Sequence, residues 1–211
     1  EAAAENLRAV IGAALADAAR PLSPTAVLVS SASVDTEAHA QVLADGVRKV
    51  VPGPATISVV ADTIGCWAAT AALAPAVAVI AGTGSAVLAG SLEQGSKRYG
   101  GWDYVLGDEG SGYALGRSAL REVLLVSEGR SGGSFLAEAV RERLGIDETD
   151  ELFDLVYKPE VDKALIASFA TDVLRLATQG DPRSEALVDE QVRLLAETVA
   201  AAFREFTGIH T

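Results

Sequence analysis

Cysteine, basic residues and long apolar runs are all scarce in this 211-residue sequence, and each shortage excludes a class of protein. A single cysteine, Cys66, cannot form an internal disulfide or hold a cysteine-ligated cluster alone, and it favours a reducing, cytoplasmic compartment. Lysine and arginine total 17 against 29 acidic residues, and the net charge of −12 makes nucleic acid a poor partner. No apolar run approaches the roughly 20 residues of a membrane-spanning helix, so we expect no membrane partner.

Methionine is absent, and the first residues, Glu1-Ala2-Ala3-Ala4, have the composition of the middle of a helix. Residues 207–211 follow a helix-like segment as a short stub. A complete gene product begins with methionine, so we interpret the sequence as a fragment. Its 49% hydrophobic and 22% charged residues are typical of a folded, globular protein with a core.

The first third of the sequence alternates between helix-like and strand-like segments. A helix is predicted over residues 1–20, and Pro21 ends it. The pattern then predicts strands over 25–33 and 56–60, and helices over 36–50 and 64–73. Strand, helix and strand in this order indicate a βαβ crossover with parallel strands.

After Pro75 the pattern changes to a β-hairpin followed by helices. It predicts strands over 77–81 and 86–90, a turn-rich stretch over 93–101, and helices over 115–127, 134–144, 161–178 and 182–206. Five apolar residues share one face of the last helix, which predicts that this face packs against a core. They are Val188, Val192, Leu195, Val199 and Phe203. We therefore predict two domains, the remainder of an N-terminal α/β domain over 1–74 and a C-terminal domain over 75–211.

Asp62 comes directly after the second predicted strand and before a helix. Ligand chemistry in open α/β sheets gathers at this carboxyl edge. A carboxylate there can accept the proton of a substrate hydroxyl as it attacks phosphorus. Asp is also a favoured helix N-cap, so a structural role stays open beside the catalytic one.

The segment Gly82-Thr83-Gly84-Ser85 joins the two strands of the predicted hairpin. Such a turn can bring bare backbone N–H groups and the Thr83 hydroxyl against phosphate oxygens. The alternative is a tight hairpin turn that uses glycine for its backbone conformation alone. The segment is neither a Walker A loop, which requires Gly-Lys-Ser/Thr, nor a dinucleotide-binding fingerprint.

A second glycine-rich segment is Gly107-Asp108-Glu109-Gly110-Ser111-Gly112. Acidic side chains between glycines are costly in a core unless they are hydrogen-bonded, and their oxygens suit sugar hydroxyls. The alternative is a solvated loop whose acids cap the helix predicted from Leu115. The two glycine-rich segments together suggest a site where a nucleotide meets a polyol.

Five sequence blocks occur in the order and at the spacing of a known family. They are Val60-Ala61-Asp62, the stretch 80–85, Gly101-Trp102, the stretch 106–113 and the stretch 115–120. The sequence resembles the N-acetylglucosamine kinase and glucosamine kinase group of the BadF/BadG/BcrA/BcrD ATPase family, over most of its length and most strongly from 62 to 120. The resemblance implies an α/β, two-domain actin-like ATPase fold (ribonuclease H-like), as in sugar kinases and Hsp70.

The resemblance implies roles for residues that handle ATP. Asp62 matches the family's catalytic aspartate, which takes the proton from the sugar 6-hydroxyl. Gly82, Thr83 and Gly84 match a phosphate-binding loop, with Thr83 near the transferred phosphate. Gly180 corresponds more weakly to a nucleotide-contacting glycine. The implied cofactors are ATP and Mg²⁺, and no residue is assigned as a metal ligand.

The resemblance also implies which residues line the sugar site. They are Ser85, Gly101, Trp102, Asp103 and Asp108, of which Asp108 matches an acid that holds sugar hydroxyls.

Two departures from the family pattern fall on the sugar side. Ala86 stands where family members often have Asn, and Asp103 replaces the last glycine of the usual Gly-Trp-Gly. An extra carboxylate would attract the ammonium group of glucosamine. The sugar therefore stays open between N-acetylglucosamine, glucosamine and N-acetylmuramic acid.

Two motifs of these kinases, an Asp-Gly-Gly-Gly-Thr hairpin and a Gly-Gly adenosine motif, do not occur here. We therefore expect a fold that is incomplete at both ends, and a chain that is inactive alone, because phosphoryl transfer depends on positioning and charge neutralisation. For the parent protein we expect ATP-dependent phosphorylation of an amino sugar at its 6-hydroxyl, and a homodimer is compatible with the sequence. The alternatives are a BadF-type activator ATPase, which needs cysteines for a shared iron–sulfur cluster, and a non-catalytic sugar-binding remnant.

Overall fold

The structure is a computed structural model that describes residues 2–17 and 24–207. The end of the first predicted helix at Pro21 and the stub after residue 207 lie outside the described residues. The chain divides into two compact units, residues 1–74 and residues 75–211. Within the described ranges, no helix is both long enough and apolar enough to cross a membrane.

Unit 1 contains the predicted βαβ crossover. Two strands pair in parallel, with Ala26 opposite Thr56 at one end and Ser31 opposite Ala61 at the other. The elements are α1 (Ala2–Ala16), β1 (Ala26–Ser31), α2 (Glu37–Arg48), β2 (Thr56–Ala61) and α3 (Asp62–Ala71). The prediction of parallel strands joined by a helix is confirmed.

The crossover helix α2 is positioned by its cap and its apolar face. The Thr36 hydroxyl accepts a hydrogen bond from the backbone N–H of His39 at 3.2 Å, which satisfies a donor that the first turn leaves unpaired. Val47 on the buried face packs with Val29 of β1 and with Val51 to form the core of unit 1. Burial of these β-branched side chains holds the helix across the strand pair.

Unit 2 begins with an antiparallel sheet in the order β3-β4-β5. The strands are β3 (Ala76–Ala81), β4 (Ser85–Ser91) and β5 (Gly95–Tyr99). The hairpin of β3 and β4 is confirmed. The turn-rich stretch predicted over 93–101 also contains a strand that was not predicted, because β5 pairs with β4 from Val87 opposite Tyr99. The strand has the sequence Gly-Ser-Lys-Arg-Tyr and is mostly exposed, so it lacks the apolar alternation that signals a strand.

Helices make up the rest of unit 2. They are α4 (Asp103–Leu106), α5 (Gly112–Ser127), α6 (Phe135–Leu144), α7 (Asp150–Val156), α8 (Lys163–Ser168), α9 (Ala170–Thr178) and α10 (Pro182–Thr207). The single helix predicted over 161–178 is two helices, because the N–H of Phe169 bonds to the carbonyl of Ile166, three residues back, and interrupts the ladder. Helix α5 begins before Leu115 because the Ser111 hydroxyl caps it, accepting from the N–H of Ala114 at 3.1 Å.

The main core of unit 2 lies among α5, α6 and α9, where Val123, Leu136, Val140 and Val173 are fully buried. A second cluster packs α10 against the sheet. The predicted apolar face of α10 is only partly buried: Val188, Leu195 and Val199 pack against the two clusters. Val192 and Phe203 are exposed, so the prediction of core packing is wrong for these two residues.

Candidate functional site in two glycine-rich segments

The two glycine-rich segments of unit 2 are hydrogen-bonded to each other through Ser85, the first residue of β4. The backbone N–H of Ser85 donates to Oδ1 of Asp108 at 3.1 Å. The Ser85 hydroxyl donates to the carbonyl oxygen of Glu109 at 2.8 Å. The sequence predicts both segments as ligand-binding, and the structure brings them together.

The turn at Gly82-Thr83-Gly84 has its carbonyl groups occupied by the protein. The N–H of Gly112 donates to Gly82 O at 2.7 Å and the N–H of Tyr113 donates to Thr83 O at 3.0 Å. These donors belong to the first turn of α5, whose N–H groups have no partner within the helix. The N–H groups of Thr83 and Gly84 donate to no other group among the described residues, so two donors remain for an anion.

Asp108 is the buried anchor of this site, with an exposed fraction of 3%. Its backbone has φ of 67°, in the left-handed region that glycine and, less often, Asp or Asn adopt. Besides the Ser85 N–H, it accepts a hydrogen bond from Nζ of Lys163 at 2.5 Å. A buried carboxylate is tolerated when it is paired in this way. The alternative of a solvated loop whose acids cap α5 is therefore wrong, since Asp108 is buried and Ser111 provides the cap.

Lys163, at the start of α8, joins the two acids of the site and was not predicted from the sequence. Its Nζ contacts Oδ2 of Asp108 and Oδ1 of Asp103, each at 2.5 Å. It lies 55 and 60 residues after these acids, in a segment without a motif. No signal in the sequence identifies it, because the contact depends on how α8 packs against the loops.

The ion pairs at Lys163 shift the pKa values of Lys163 and Asp103 so that both groups stay charged over a wider pH range. Burial alone would lower the pKa of Lys163, but its hydrogen bonds to Asp103 and Asp108 outweigh that, and the pKa lies above the ordinary 10.5. The hydrogen bond from Lys163 lowers the pKa of Asp103 below its ordinary 3.8. Lys163, Asp103 and Asp108 therefore form one hydrogen-bonded charge network.

Close backbone approach explains one glycine of the turn. A Cβ placed on Gly84 would lie 2.9 Å from Nζ of Lys163 and 3.0 Å from Oδ2 of Asp108, so the lysine end would have to move and the contact with the buried acid would be unusually tight. A Cβ on Gly82 would meet nothing within 4 Å. The absence of a side chain at Gly84 therefore lets the turn lie against the charge network. At Gly82 there is room for a side chain, so close packing does not account for the glycine.

The segment Gly101-Trp102-Asp103 lies beside the start of β4. Gly101 has φ of 66°, and a Cβ there would lie 2.8 Å from Cβ of Ala86. Asp103 has φ of 64°, a conformation that suits the glycine usual in this family pattern. The indole of Trp102 is exposed, and the guanidinium of Arg98 lies 4.9 Å from its ring centre.

Asp62, in unit 1, is the first residue of α3, directly after β2. The structural alternative of an N-cap at Asp62 is wrong, because Ala61 occupies that position and no side chain caps the helix. Oδ1 of Asp62 accepts from the N–H of Thr63 at 2.8 Å. Oδ2 has no hydrogen-bond donor among the described residues, so this half-buried carboxylate keeps one oxygen available.

A glycine inside the first turns of α3, which carries no sequence signal of its own, allows the helix to pack closely against β1. A Cβ on Gly65 would lie 2.0 Å from Oγ of Ser30, at the end of β1. Only a glycine lets α3 pack this closely against the strand that precedes the crossover.

Gly180 lies in the turn between α9 and α10, with φ of 82°. Its N–H donates to Ala177 O, and the side chain of Asp181 accepts from the N–H of Ser184 at 2.9 Å to cap α10. This geometry accounts for Gly180 as a helix connector, and its nucleotide role stays a prediction.

Comparison with known proteins gives two curated relatives. Over 123 residues, the chain is 33% identical to an N-acetylmuramic acid/N-acetylglucosamine kinase of Clostridium acetobutylicum, covering 58% of the chain and 40% of the relative. Over 130 residues it is 28% identical to an N-acetyl-D-glucosamine kinase of Dictyostelium discoideum, covering 61% of the chain and 41% of that relative. The matched segments thus span about two fifths of the length of these relatives.

Two solved structures share the architecture. A candidate N-acetylglucosamine kinase from Chromobacterium violaceum superposes with a TM-score of 0.78 at 26% identity, over 96% of this chain and 69% of that one. A candidate N-acetylglucosamine kinase from Porphyromonas gingivalis gives 0.66 at 26% identity, over 86% and 68%. The model of the BadF/BadG/BcrA/BcrD ATPase family matches residues 1–210. With the resemblance of its glycine-rich segments thus confirmed, the chain belongs to the BadF/BadG/BcrA/BcrD ATPase family and has the actin-like ATPase fold.

Proposed function

We propose that this chain is part of an ATP-dependent hexosamine kinase that phosphorylates the 6-hydroxyl of an amino sugar. The observation that carries the proposal is the network of Ser85, Asp108 and Lys163, which joins a turn with two N–H groups unpaired among the described residues to a buried acid. Such a pairing offers donors for phosphate oxygens beside acceptors for sugar hydroxyls. The names of the two curated relatives support an amino sugar as the substrate.

In the proposed reaction, Asp62 is the general base. The sugar O6 attacks the γ-phosphorus of ATP, the bond from that phosphorus to the bridging oxygen breaks, and ADP leaves. The proton of the 6-hydroxyl passes to Oδ2 of Asp62, the oxygen without a donor among the described residues.

The proposed phosphate contacts come from the turn at 82–84. The N–H groups of Thr83 and Gly84 and the exposed Thr83 hydroxyl donate to phosphate oxygens. Mg²⁺, when bound with ATP, supplies charge neutralisation.

The proposed sugar contacts come from Ser85 and from Gly101 to Asp103, together with Asp108. The exposed indole of Trp102 offers an apolar surface to a sugar ring. We place the reaction in the cytoplasm, which the single cysteine supports. Assembly as a homodimer stays a prediction.

A coupled assay of ADP release tests the proposal on the intact protein. With Mg-ATP we expect release that depends on N-acetylglucosamine, glucosamine or N-acetylmuramic acid, and little with glucose. Sugar-independent hydrolysis would contradict the proposal in favour of an activator ATPase. Sugar binding without turnover would instead indicate a non-catalytic sugar-binding protein.

A further inference from the structure

The charge network around Lys163 bears on which amino sugar the site accepts. Two carboxylates, of Asp103 and Asp108, share one ammonium group. We propose that Lys163 is a specificity-determining residue: by neutralising one of the two negative charges, it weakens the site's attraction for a hexosamine with a free ammonium group relative to an uncharged one. This inference rests on the proposed hexosamine kinase function.

Asp103 and Asp108 are both already paired with Lys163. A lysine ammonium has three donors, and two of those on Lys163 bond to Oδ1 of Asp103 and Oδ2 of Asp108. Oδ1 of Asp108 accepts from the Ser85 N–H, so both oxygens of the buried acid are bonded. Asp103 is the more accessible of the two acids, because 63% of its side chain is exposed against 4% for Asp108.

Electrostatics set the direction of the preference. Opposite charges about 4 Å apart attract appreciably even in a partly solvated site, and an intervening charge of the ligand's own sign largely cancels that attraction. An ammonium group on the sugar would meet Lys163 together with Asp103. An N-acetyl group is neutral and meets no such repulsion.

A purely structural role for Lys163 predicts a different result. Loss of packing alone would weaken the binding of all hexosamines to a similar extent. Loss of the neutralising charge changes the ratio of affinities for a cationic and a neutral sugar. This ratio is the informative measurement.

The experiment is titration calorimetry of the intact protein with glucosamine and N-acetylglucosamine at mildly acidic pH. Under these conditions the amine of glucosamine is protonated. We expect Lys163→Met to raise the ratio of glucosamine to N-acetylglucosamine affinity by about tenfold, the effect of one carboxylate that is no longer neutralised. Asp103→Asn should lower the ratio, because it removes the more accessible acid and keeps Lys163. The matched control is Lys97→Met, which removes an exposed lysine paired with Glu205 and should leave the ratio unchanged.

Asp103→Asn keeps the test decisive if Lys163→Met does not fold, since Asn also tolerates the left-handed backbone at this position. An unchanged or increased ratio in Asp103→Asn overturns the inference. So does an unchanged ratio in a folded Lys163→Met. If the unchanged protein binds neither sugar, the proposed hexosamine function is overturned as well. If it binds N-acetylglucosamine but the affinity ratio is the same in the variants, only the role of Lys163 is overturned.

Discussion

The two acids proposed for the site have different surroundings. Asp62 lies directly after β2, and Asp108 lies in the glycine-rich loop before α5. Asp62 is half-buried, bonds through Oδ1 to the next residue's N–H, and has no donor on Oδ2 among the described residues. Asp108 is 3% exposed and has both oxygens bonded. An acid with an available oxygen suits proton transfer, whereas an acid bonded through both oxygens is held in a fixed position, from which its remaining lone pairs can accept from sugar hydroxyls.

The largest expected effect is on the catalytic rate, which should depend on Asp62 as the proton acceptor. In the intact protein, Asp62→Asn should lower kcat by about a thousandfold, because the amide cannot take the hydroxyl proton. Sugar affinity should stay near that of the unchanged protein. Steady-state kinetics with calorimetry checks both values, and Asp45→Asn, at an exposed acid of α2, is the control. Near-normal turnover in Asp62→Asn would refute the base assignment.

The second effect is on the free energy of unfolding, which should depend more on Asp108 than on Asp62. Asp108→Ala should destabilise unit 2 by about 3 kcal/mol, because it leaves the Ser85 N–H and the Lys163 ammonium without a buried partner. Asp62→Ala should cost about 1 kcal/mol or less, since only a local hydrogen bond is lost. Urea unfolding measures both. Equal costs for the two substitutions would show that the burial of Asp108 does not distinguish it.

A smaller effect is expected from a side chain at Gly84, where the turn at 82–84 lies against the charge network. Gly84→Ala should lower stability by about 2 kcal/mol and weaken nucleotide binding, because its Cβ would press on Lys163 and Asp108. Gly82→Ala is the matched control, since a Cβ there meets nothing within 4 Å. Thermal unfolding with and without Mg-ATP gives both readings, and an equal loss in the two variants would count against the close approach.

The smallest effect is the pH dependence of the network. The pKa of Asp103 is lowered from 3.8, so its contribution is present above that value and is lost as pH falls through the lowered pKa. The pKa of Lys163 is raised from 10.5, so its contribution is present below that value and is lost as pH rises through the raised pKa. The stability difference between the unchanged protein and Lys163→Met should therefore be flat between these limits. We expect the Asp103 part to stay below about 1 kcal/mol because this acid is exposed.

The fold was predictable where local patterns decide it. Apolar segments and their order gave the parallel pair of β1 and β2 and the hairpin that holds the turn at 82–84. Strand β5 was missed because it is polar and exposed, and its only strand signal is its pairing with β4. The break at Phe169 was missed because a buried aromatic residue inside an apolar stretch carries no stop signal.

The candidate site was predictable only in its local parts. The glycine-rich segments are contiguous motifs, so Thr83 and Asp108 could be selected from their neighbours along the chain. Lys163 contacts Asp108 across 55 residues, and such a contact follows from tertiary packing and not from any pattern. The burial of Asp108 likewise required the structure, because the same residues would suit a solvated loop.

The separation between Lys163 and its two acids also has a consequence for folding. Closing a loop of 55 to 60 residues costs more chain entropy than forming the neighbouring hairpin, so the ammonium reaches the acids only after the intervening helices α5 and α6 have packed. We expect the charge network to form after the hairpin and before the contacts of α10 with the sheet, such as Lys97 with Glu205, which lie 108 residues apart. A chain still emerging from the ribosome would then hold Asp103 and Asp108 without their cation, and it would acquire the neutralising charge only when α8 is complete.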